Sequence, residues 1–347
     1  MRYLIVQDWA NTHGNHAGMV HMCNLLKQEY PDEYCILVKD VPHIFNLGIK
    51  RLNRIVRFFY ERFIYPMQYV HLCKSVMPLF KKGDEIFLLE YLFPETSQFK
   101  LACVLHKKYP FLKIYGMSHL TPTYGEKKYS DYRQMVLKWL SPINKYLTLG
   151  ASLTDYFVSL GVPCNCVSTG FHYVDGCFYS KKREVINQRL KVIVVGAMAR
   201  NFDLLKKIIC ATPEVDWTVC KGNKNVSGLF DSNANVQLLG FMPENELRNQ
   251  MSLADVSLSV MDDTVGSNVV TTSLSMGLAQ IVSDVGSIRD YCSDDNTIFC
   301  QNTVESFVAA VKKIDKDRDF LEYMKKNAVC RSRLFCIQNV HKWFSSL

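Results

Sequence analysis

The sequence has no apolar run approaching the roughly 20 residues of a bilayer-spanning helix, and its best candidate is broken by Arg54, Arg57, Glu61 and Arg62. It has no Cys-x-x-Cys pair and no histidine at zinc-site spacing from a cysteine, which argues against structural zinc. The thirteen cysteines are an odd number scattered from Cys23 to Cys336, so they are expected to be reduced thiols acting as small hydrophobes. The opening Met1-Arg-Tyr-Leu-Ile-Val-Gln lacks the basic region, long apolar stretch and small-residue cleavage site of a secretory signal, and the expected location is cytoplasmic. Nothing is repetitive enough for a solenoid or a low-complexity tail. Hydrophobic residues make up 48% and charged residues 21%, a globular balance, and 347 residues exceed one ordinary core and suit two domains.

What the chain does contain is a recurrence of short apolar runs rich in β-branched and aromatic residues with helix-like segments between them, the pattern of parallel βα units. Strands are predicted near 2–7, 34–39, 85–90, 111–116, 145–149 and 165–168, and Met19 to Tyr30 keeps Met19, Met22, Cys23, Leu26 and Tyr30 on one helical face. The pattern breaks at Gly170-Phe-His-Tyr-Val-Asp175 and the charged Ser180-Lys-Lys-Arg-Glu, then restarts. Strands follow at 190–195, 216–220, 236–239, 256–260, 280–283 and 297–300, with helices at about 202–211, 244–253, 267–277 and 304–314. The expected fold is α/β: two Rossmann-like, doubly wound, mainly parallel domains facing across a cleft. The expected boundaries are 1–170, 171–335, and a C-terminal helix at 336–347 that crosses back towards the first domain.

Three stretches carry a resemblance: Leu253-Ala-Asp-Val-Ser-Leu-Ser-Val260, Gly266-Ser-Asn-Val-Val-Thr-Thr-Ser-Leu-Ser-Met-Gly277 and Ile281-Val-Ser-Asp-Val-Gly-Ser-Ile-Arg-Asp290. In order and spacing they resemble the donor-binding region of family 4 glycosyltransferases, enzymes of GT-B architecture, and Val194-Val-Gly-Ala-Met-Ala-Arg200 resembles the first strand and loop of that family's nucleotide domain. The resemblance implies a nucleotide-sugar donor held by Gly266, Ser267 and Asn268, where a helix start presents N–H groups and a positive dipole end to phosphate. Ser267 and Asn268 also suit a helix start on structural grounds alone. The family's pair of glutamates falls here on Thr264 and Thr272, and a threonine hydroxyl makes a weaker bond without charge assistance. Asp262 or Asp263 could stand in for the first glutamate, and either could equally be a solvated loop acid. The diphosphate-neutralising arginine and lysine implied by the family fall on Arg200 and on Lys206, with Lys221, just beyond a strand, as a competing cation.

In the first half, the loop Thr12-His-Gly-Asn-His-Ala-Gly18 resembles the family's glycine loop near phosphate and acceptor, which nominates His16 and Gly18. His119, in Gly-Met-Ser-His-Leu-Thr-Pro after a strand, matches a histidine that the family places close to the donor sugar. Glu90, after Ile86-Phe-Leu-Leu, is the second catalytic candidate. An inverting enzyme would need a base, and Glu90, Asp8 or His119 would supply it.

Between Gly48 and Lys82 stand Lys50, Arg51, Arg54, Arg57, Arg62, Lys74, Lys81 and Lys82 against the single acid Glu61, which accounts for nearly all of the net charge of +8. Phe58, Phe59, Tyr60, Phe63, Ile64 and Tyr65 are interleaved with them. The stretch suits an anionic membrane surface, at the inner face of the membrane; the plainer reading is a solvated helix with core aromatics. No nucleic-acid motif accompanies it, so nucleic acid is not an expected partner. The expected function is transfer of a sugar, with retention, from a nucleotide sugar to a glycan or lipid-linked acceptor in polysaccharide or glycolipid synthesis, with no cofactor and no metal. Alternatives are an inverting transferase, a nucleotide-sugar epimerase and a catalytically silent nucleotide-sugar-binding scaffold.

Overall fold

The computed structural model describes residues 1–9, 14–39, 48–180, 187–196, 199–226, 228–231 and 233–347, with Lys50, Arg57, Glu61, Arg62, Tyr65 and Pro66 described in backbone only. Thr12, His13, Ala197, Met198 and the charged run after Ser180 therefore lie outside the described residues. The chain divides into two compact units, Met1–Gly170 and Phe171–Ser346.

The first unit runs β1 (Arg2–Gln7), α1 (Met19–Glu29), β2 (Tyr34–Lys39), α2 (Lys50–Phe59), α3 (Tyr65–Lys74), β3 (Glu85–Leu88), α4 (Gln98–Lys108), β4 (Lys113–Ser118), α5 (Pro122–Lys128), α6 (Tyr132–Trp139), β5 (Lys145–Thr148), α7 (Ala151–Ser159) and β6 (Val167–Thr169). A π-helical turn, Tyr60–Ile64, joins α2 to α3. Its strands pair in parallel in the order β2-β1-β3-β4-β5-β6. Parallel strands are covered on both faces and so read as unbroken apolar runs: Leu4, Ile5 and Val6, like Ile86, Phe87 and Leu88, are wholly buried. Helix α1 buries Met22, Cys23 and Leu26, the face its periodicity predicts.

The second unit runs β7 (Lys191–Val195), α8 (Phe202–Cys210), β8 (Asp216–Cys220), β9 (Val236–Leu239), α9 (Glu244–Ser252), β10 (Val256–Ser259), α10 (Asn268–Ser275), β11 (Ala279–Ser283), α11 (Ile288–Tyr291), β12 (Thr297–Cys300), α12 (Val304–Lys316), α13 (Arg318–Ser332) and α14 (Ile337–Ser345). Strand order is β12-β11-β10-β7-β8-β9, all parallel. Trp217, Leu258 and Ile281 of the sheet pack in one core with Leu205, Ile208 and Ile209 of α8 and Phe307, Val311 and Ile314 of α12. Each such side chain is worth about 1.5–3 kcal/mol of burial. Both sheets are thus parallel and doubly wound. In each, the strand order reverses beside the unit's first strand, which opens a crevice at the carboxyl ends between β1 and β3, and between β7 and β10.

All thirteen cysteines are free. Helix α14 closes on its own unit, where Phe171 packs 6.1 Å from Trp343 and 5.7 Å from Phe335. Among the described residues, no helix is long and apolar enough to cross a membrane.

Candidate active site

The reversal between β7 and β10 brings their two following loops side by side. Arg200 forms an antiparallel bridge with Met261, the Asn201 N–H donates to the Val260 carbonyl at 3.1 Å, and the Asp262 N–H donates to the Ala199 carbonyl at 3.1 Å. Ala199 is held in the left-handed region at φ 52°, which an L-residue adopts at a cost of about 1–2 kcal/mol. This turn delivers the Arg200 guanidinium into an enclosed position. Its Nε and Nη1 are shut off from solvent and have no hydrogen-bond partner among the described residues. Burial lowers its pKa to about 10, still well above neutrality, so the group stays a cation there. A buried, unpaired charge is among the costliest arrangements a fold can hold, and an anion would relieve it.

Gly196, at φ 89°, stands next to that cation: a Cβ built on it would lie 3.6 Å from Cγ2 of Val269 and 3.9 Å from Nε of Arg200. Val269 belongs to the first turn of α10. The arginine, a bare stretch of backbone and the positive end of a helix dipole therefore lie together. Ser267 caps α10, its Oγ accepting the Val269 N–H at 3.2 Å. Gly266 precedes it at φ 109°, and a Cβ there would fall 2.3 Å from the Tyr291 hydroxyl. Gly266→Ala is accordingly expected to destabilise the second unit by about 1–3 kcal/mol through overpacking, with strain added. Denaturant unfolding measures it, and an unchanged midpoint would contradict the packing described.

The two threonines that occupy the family's glutamate positions turn towards backbone. Thr264 Oγ1 accepts the Gly266 N–H at 3.1 Å, and the buried Thr272 hydroxyl donates to the Asn268 carbonyl, one helical turn back, at 2.7 Å. Asp262 accepts from Asn201 Nδ2 at 3.4 Å and is exposed, whereas Asp263 is half-buried. Lys206 is half-buried on α8, with no hydrogen bond or ion pair to its ammonium among the described residues. Lys221 follows β8 and donates to the Lys224 carbonyl at 3.0 Å, inside its own loop. A separate cavity of about 320 Å³, lined by Lys191, Asp216 and Val236, opens at the opposite, amino edge of this sheet.

In the first unit, Glu90 follows β3 at the reversal point and is fully enclosed. Its carboxyl accepts the Gln7 N–H at 3.0 Å, and its own N–H donates to Gln98 Oε1 at 3.0 Å. Burial pushes its pKa up to about 8 against the opposing bonds from Gln7, Trp9 and Gln98. Tyr69 and Gln98 extend this network, and the Lys39 ammonium, which burial lowers to about 8, lies 4.5 Å from the centre of the Tyr69 ring. Sequence reasoning missed Gln7, Lys39 and Gln98; the available signal was a polar residue closing each of the apolar strands β1 and β2, whereas Gln98, the first residue of α4, carried none.

His119 follows β4, and its Nε2 donates to the Leu89 carbonyl, so the neutral ring carries its proton on that nitrogen. Burial lowers the imidazole pKa and the carbonyl opposes this. Gly18 caps α1, its N–H donating to the Asn15 carbonyl at 3.0 Å, and His16 lies in ring contact with His21 at 4.4 Å.

Residues 180–330 match the family model described as glycosyl transferases group 1. No curated protein sequence matches the chain. Among solved structures, the chain is similar to sucrose-phosphate synthase from Thermosynechococcus elongatus, at 12% identity and a TM-score of 0.74 over 100% of this chain and 99% of that one. It is similar to Anabaena HepE in complex with UDP, at 11% identity and a TM-score of 0.71 over 100% of both chains. A glycosyltransferase from Rickettsia africae ESF-5 gives 9% identity and a TM-score of 0.68, over 99% of this chain and 97% of that one.

Proposed function

We propose, from the premise that this chain carries a glycosyl transferases group 1 domain over residues 180–330 and is a glycosyltransferase of GT-B fold, that it moves a sugar from a nucleoside diphosphate sugar to a glycan or lipid-linked acceptor in polysaccharide or glycolipid synthesis. The observation that carries this reading is the Arg200 guanidinium beside the start of α10, its Nε and Nη1 enclosed and without a hydrogen-bond partner among the described residues. Cleavage of the sugar–phosphate bond leaves negative charge on the diphosphate, and a fixed guanidinium with a helix N-terminus stabilises that charge as it develops. Gly266, Ser267 and Asn268 supply the helix start, and Lys206 or Lys221 the second cation. With Thr264 and Thr272 engaged by backbone, the ribose relies on other groups, Asp263 among them. A UDP sugar is the donor we favour, because Anabaena HepE binds UDP.

Retention is the outcome we favour, as the likeness of residues 253–290 to the donor-binding region of family 4 glycosyltransferases implies. His119, with its proton fixed on Nε2, is the residue we assign to the transfer step, with His16 and Gly18 in the loop near phosphate and acceptor. The test is a thermal-shift panel of nucleotide sugars followed by nucleotide release with and without candidate acceptors. Release that requires the acceptor supports transfer. Release without one points to hydrolysis, and binding with no turnover under any acceptor points to the scaffold alternative.

The segment 48–82 supports a peripheral site of action on anionic lipid. Phe58, Phe59 and Phe63 are 60%, 54% and 55% exposed, so they are available to a bilayer instead of filling the core, and Arg51 and Arg54 are exposed beside them. Each basic residue at such a surface is worth about 1 kcal/mol. Replacing Arg51 and Arg54 with glutamine should weaken co-sedimentation with anionic vesicles, and rising salt should weaken the wild type. Failure of the wild type to co-sediment at low salt would remove the membrane from this reading.

A further inference from the structure

The first unit holds a cavity of about 390 Å³ whose lining includes Phe58, Pro94, Glu95, Ser97, Phe99 and Trp139, with Lys100 and Tyr129 completing it. It lies where the chain leaves β3, passes through a 3₁₀ turn at Pro94–Thr96, and enters α4. The Phe99 and Trp139 rings stack at 4.6 Å and 7° to form one apolar wall. Phe58, on α2, stands on another side and is 60% exposed.

Ser97 carries two costs at once. It sits in the left-handed region at φ 58°, although it is not a glycine, and its hydroxyl is buried with no hydrogen-bond partner among the described residues. A left-handed L-residue costs about 1–2 kcal/mol and an unmade buried hydrogen bond about 1–3 kcal/mol. Both fall on a residue whose backbone turn lines the cavity.

The remaining polar lining narrows the ligand. The Glu95 carboxylate is already taken, one oxygen by Lys128 at 2.5 Å and the other by the Tyr129 hydroxyl at 2.6 Å. The exposed Lys100 places a cation at the edge. A sugar ring buried here would bring several hydroxyls to a site with very few partners, each unsatisfied one costing about 1–3 kcal/mol. A hydrocarbon chain gains about 0.8 kcal/mol for each buried methylene against the same walls. The mouth also fits an amphiphile: Arg54 lies one helical turn before Phe58 on the same face of α2, and Leu52, Ile55 and Phe59 are exposed on that helix. Apolar walls with cations at the rim match a chain ending in an anionic head.

We infer that this cavity binds the hydrocarbon tail of an amphiphilic acceptor with an anionic head group, its head meeting Lys100 at the rim. The ligand's role as acceptor rests on the transferase reading above; its binding does not. The probe is dodecyl phosphate below its micelle concentration, titrated into the full chain while tryptophan fluorescence is followed, with inorganic phosphate and a methyl glucoside as competitors. Saturable binding is expected, at least about tenfold weaker in Phe58→Asp, with the fluorescence change lost in Trp139→Phe and neither competitor displacing the probe. Phe58 is exposed, so the aspartate variant should fold, which far-UV circular dichroism checks. No saturable binding, equal affinity in Phe58→Asp, or displacement by the glucoside would overturn the inference. A thermal shift with UDP is run in parallel: a UDP response without dodecyl phosphate binding sinks the pocket alone, and loss of the UDP response counts against the donor site alone.

Discussion

Arg200→Met is expected to lower sugar transfer at least about tenfold, and up to roughly a thousandfold, while raising the melting temperature of the free protein. Activity falls because a developing diphosphate charge loses its fixed cation. Stability rises because methionine keeps an apolar stem in the same enclosure and removes a guanidinium whose Nε and Nη1 have no partner among the described residues. Exchanging even a buried ion pair for apolar side chains of similar volume is commonly neutral or stabilising by about 1–4 kcal/mol, and a charge without such a pairing has less attraction to lose. The two effects together discriminate: a purely structural arginine would lower both activity and stability when replaced. Kinetics with saturating donor and a thermal melt with and without UDP provide the check. Wild-type protein should gain stability from UDP and the variant should gain much less. A folded variant with normal turnover would remove Arg200 from the site.

Glu90→Gln is expected to flatten the pH dependence of the first unit's stability between about pH 4.5 and 8. The native carboxyl binds its proton more tightly than the unfolded one, because burial raises its pKa to about 8 from 4.5. The native state therefore holds an extra proton through that window, and its stability is full below the window and falls as pH rises through it. Every tenfold gain in proton affinity is equivalent to about 1.4 kcal/mol, so the fall is on the order of a few kcal/mol. Glutamine keeps an acceptor for the Gln7 N–H and cannot ionise. His119 acts in the opposite direction near its own titration, since its pKa is lowered, but wild type and variant share that background. Lys39, lowered to about 8, gains stability only as pH rises above that value, so melts are compared at pH 5 and pH 8. Parallel curves for the two proteins would mean that Glu90 does not carry the dependence.

Most of the fold is legible because parallel strands covered on both faces leave apolar runs with little else in them. Tyr34–Lys39, Asp216–Cys220, Val236–Leu239 and Thr297–Cys300 occupy the expected positions, and the helix starts near 202, 244 and 304 follow from capping residues or a proline before an amphipathic run. Ends drift by a residue or two where the chain leaves a sheet: β3 stops at Leu88, not at Glu90, because Glu90 turns inward to bond Gln7 and Gln98. Periodicity puts Phe58, Phe59 and Phe63 on a helix but cannot say whether a partner covers them. Arg200 is readable from its place after a glycine loop, whereas its lack of a partner requires the packed structure. The Thr272 bond to its own helix is a habit of mid-helix threonine that spacing alone leaves open. The Ser97, Phe99 and Trp139 cavity joins residues far apart in the chain, so no local pattern announces it.

Tyr291 has a consequence for how this sequence can change over time. Its ring stacks on Phe335 at 5.2 Å, its hydroxyl accepts the His172 N–H at 2.8 Å, and it occupies the space that any Cβ at position 266 would need. One side chain thus ties the opening of the second unit to the loop that starts α10. Drift at position 266 away from glycine is easier for lineages that have first replaced Tyr291 with something smaller, and that replacement leaves the His172 amide to find another acceptor. Positions 266 and 291 should therefore move together, with the tyrosine changing before the glycine.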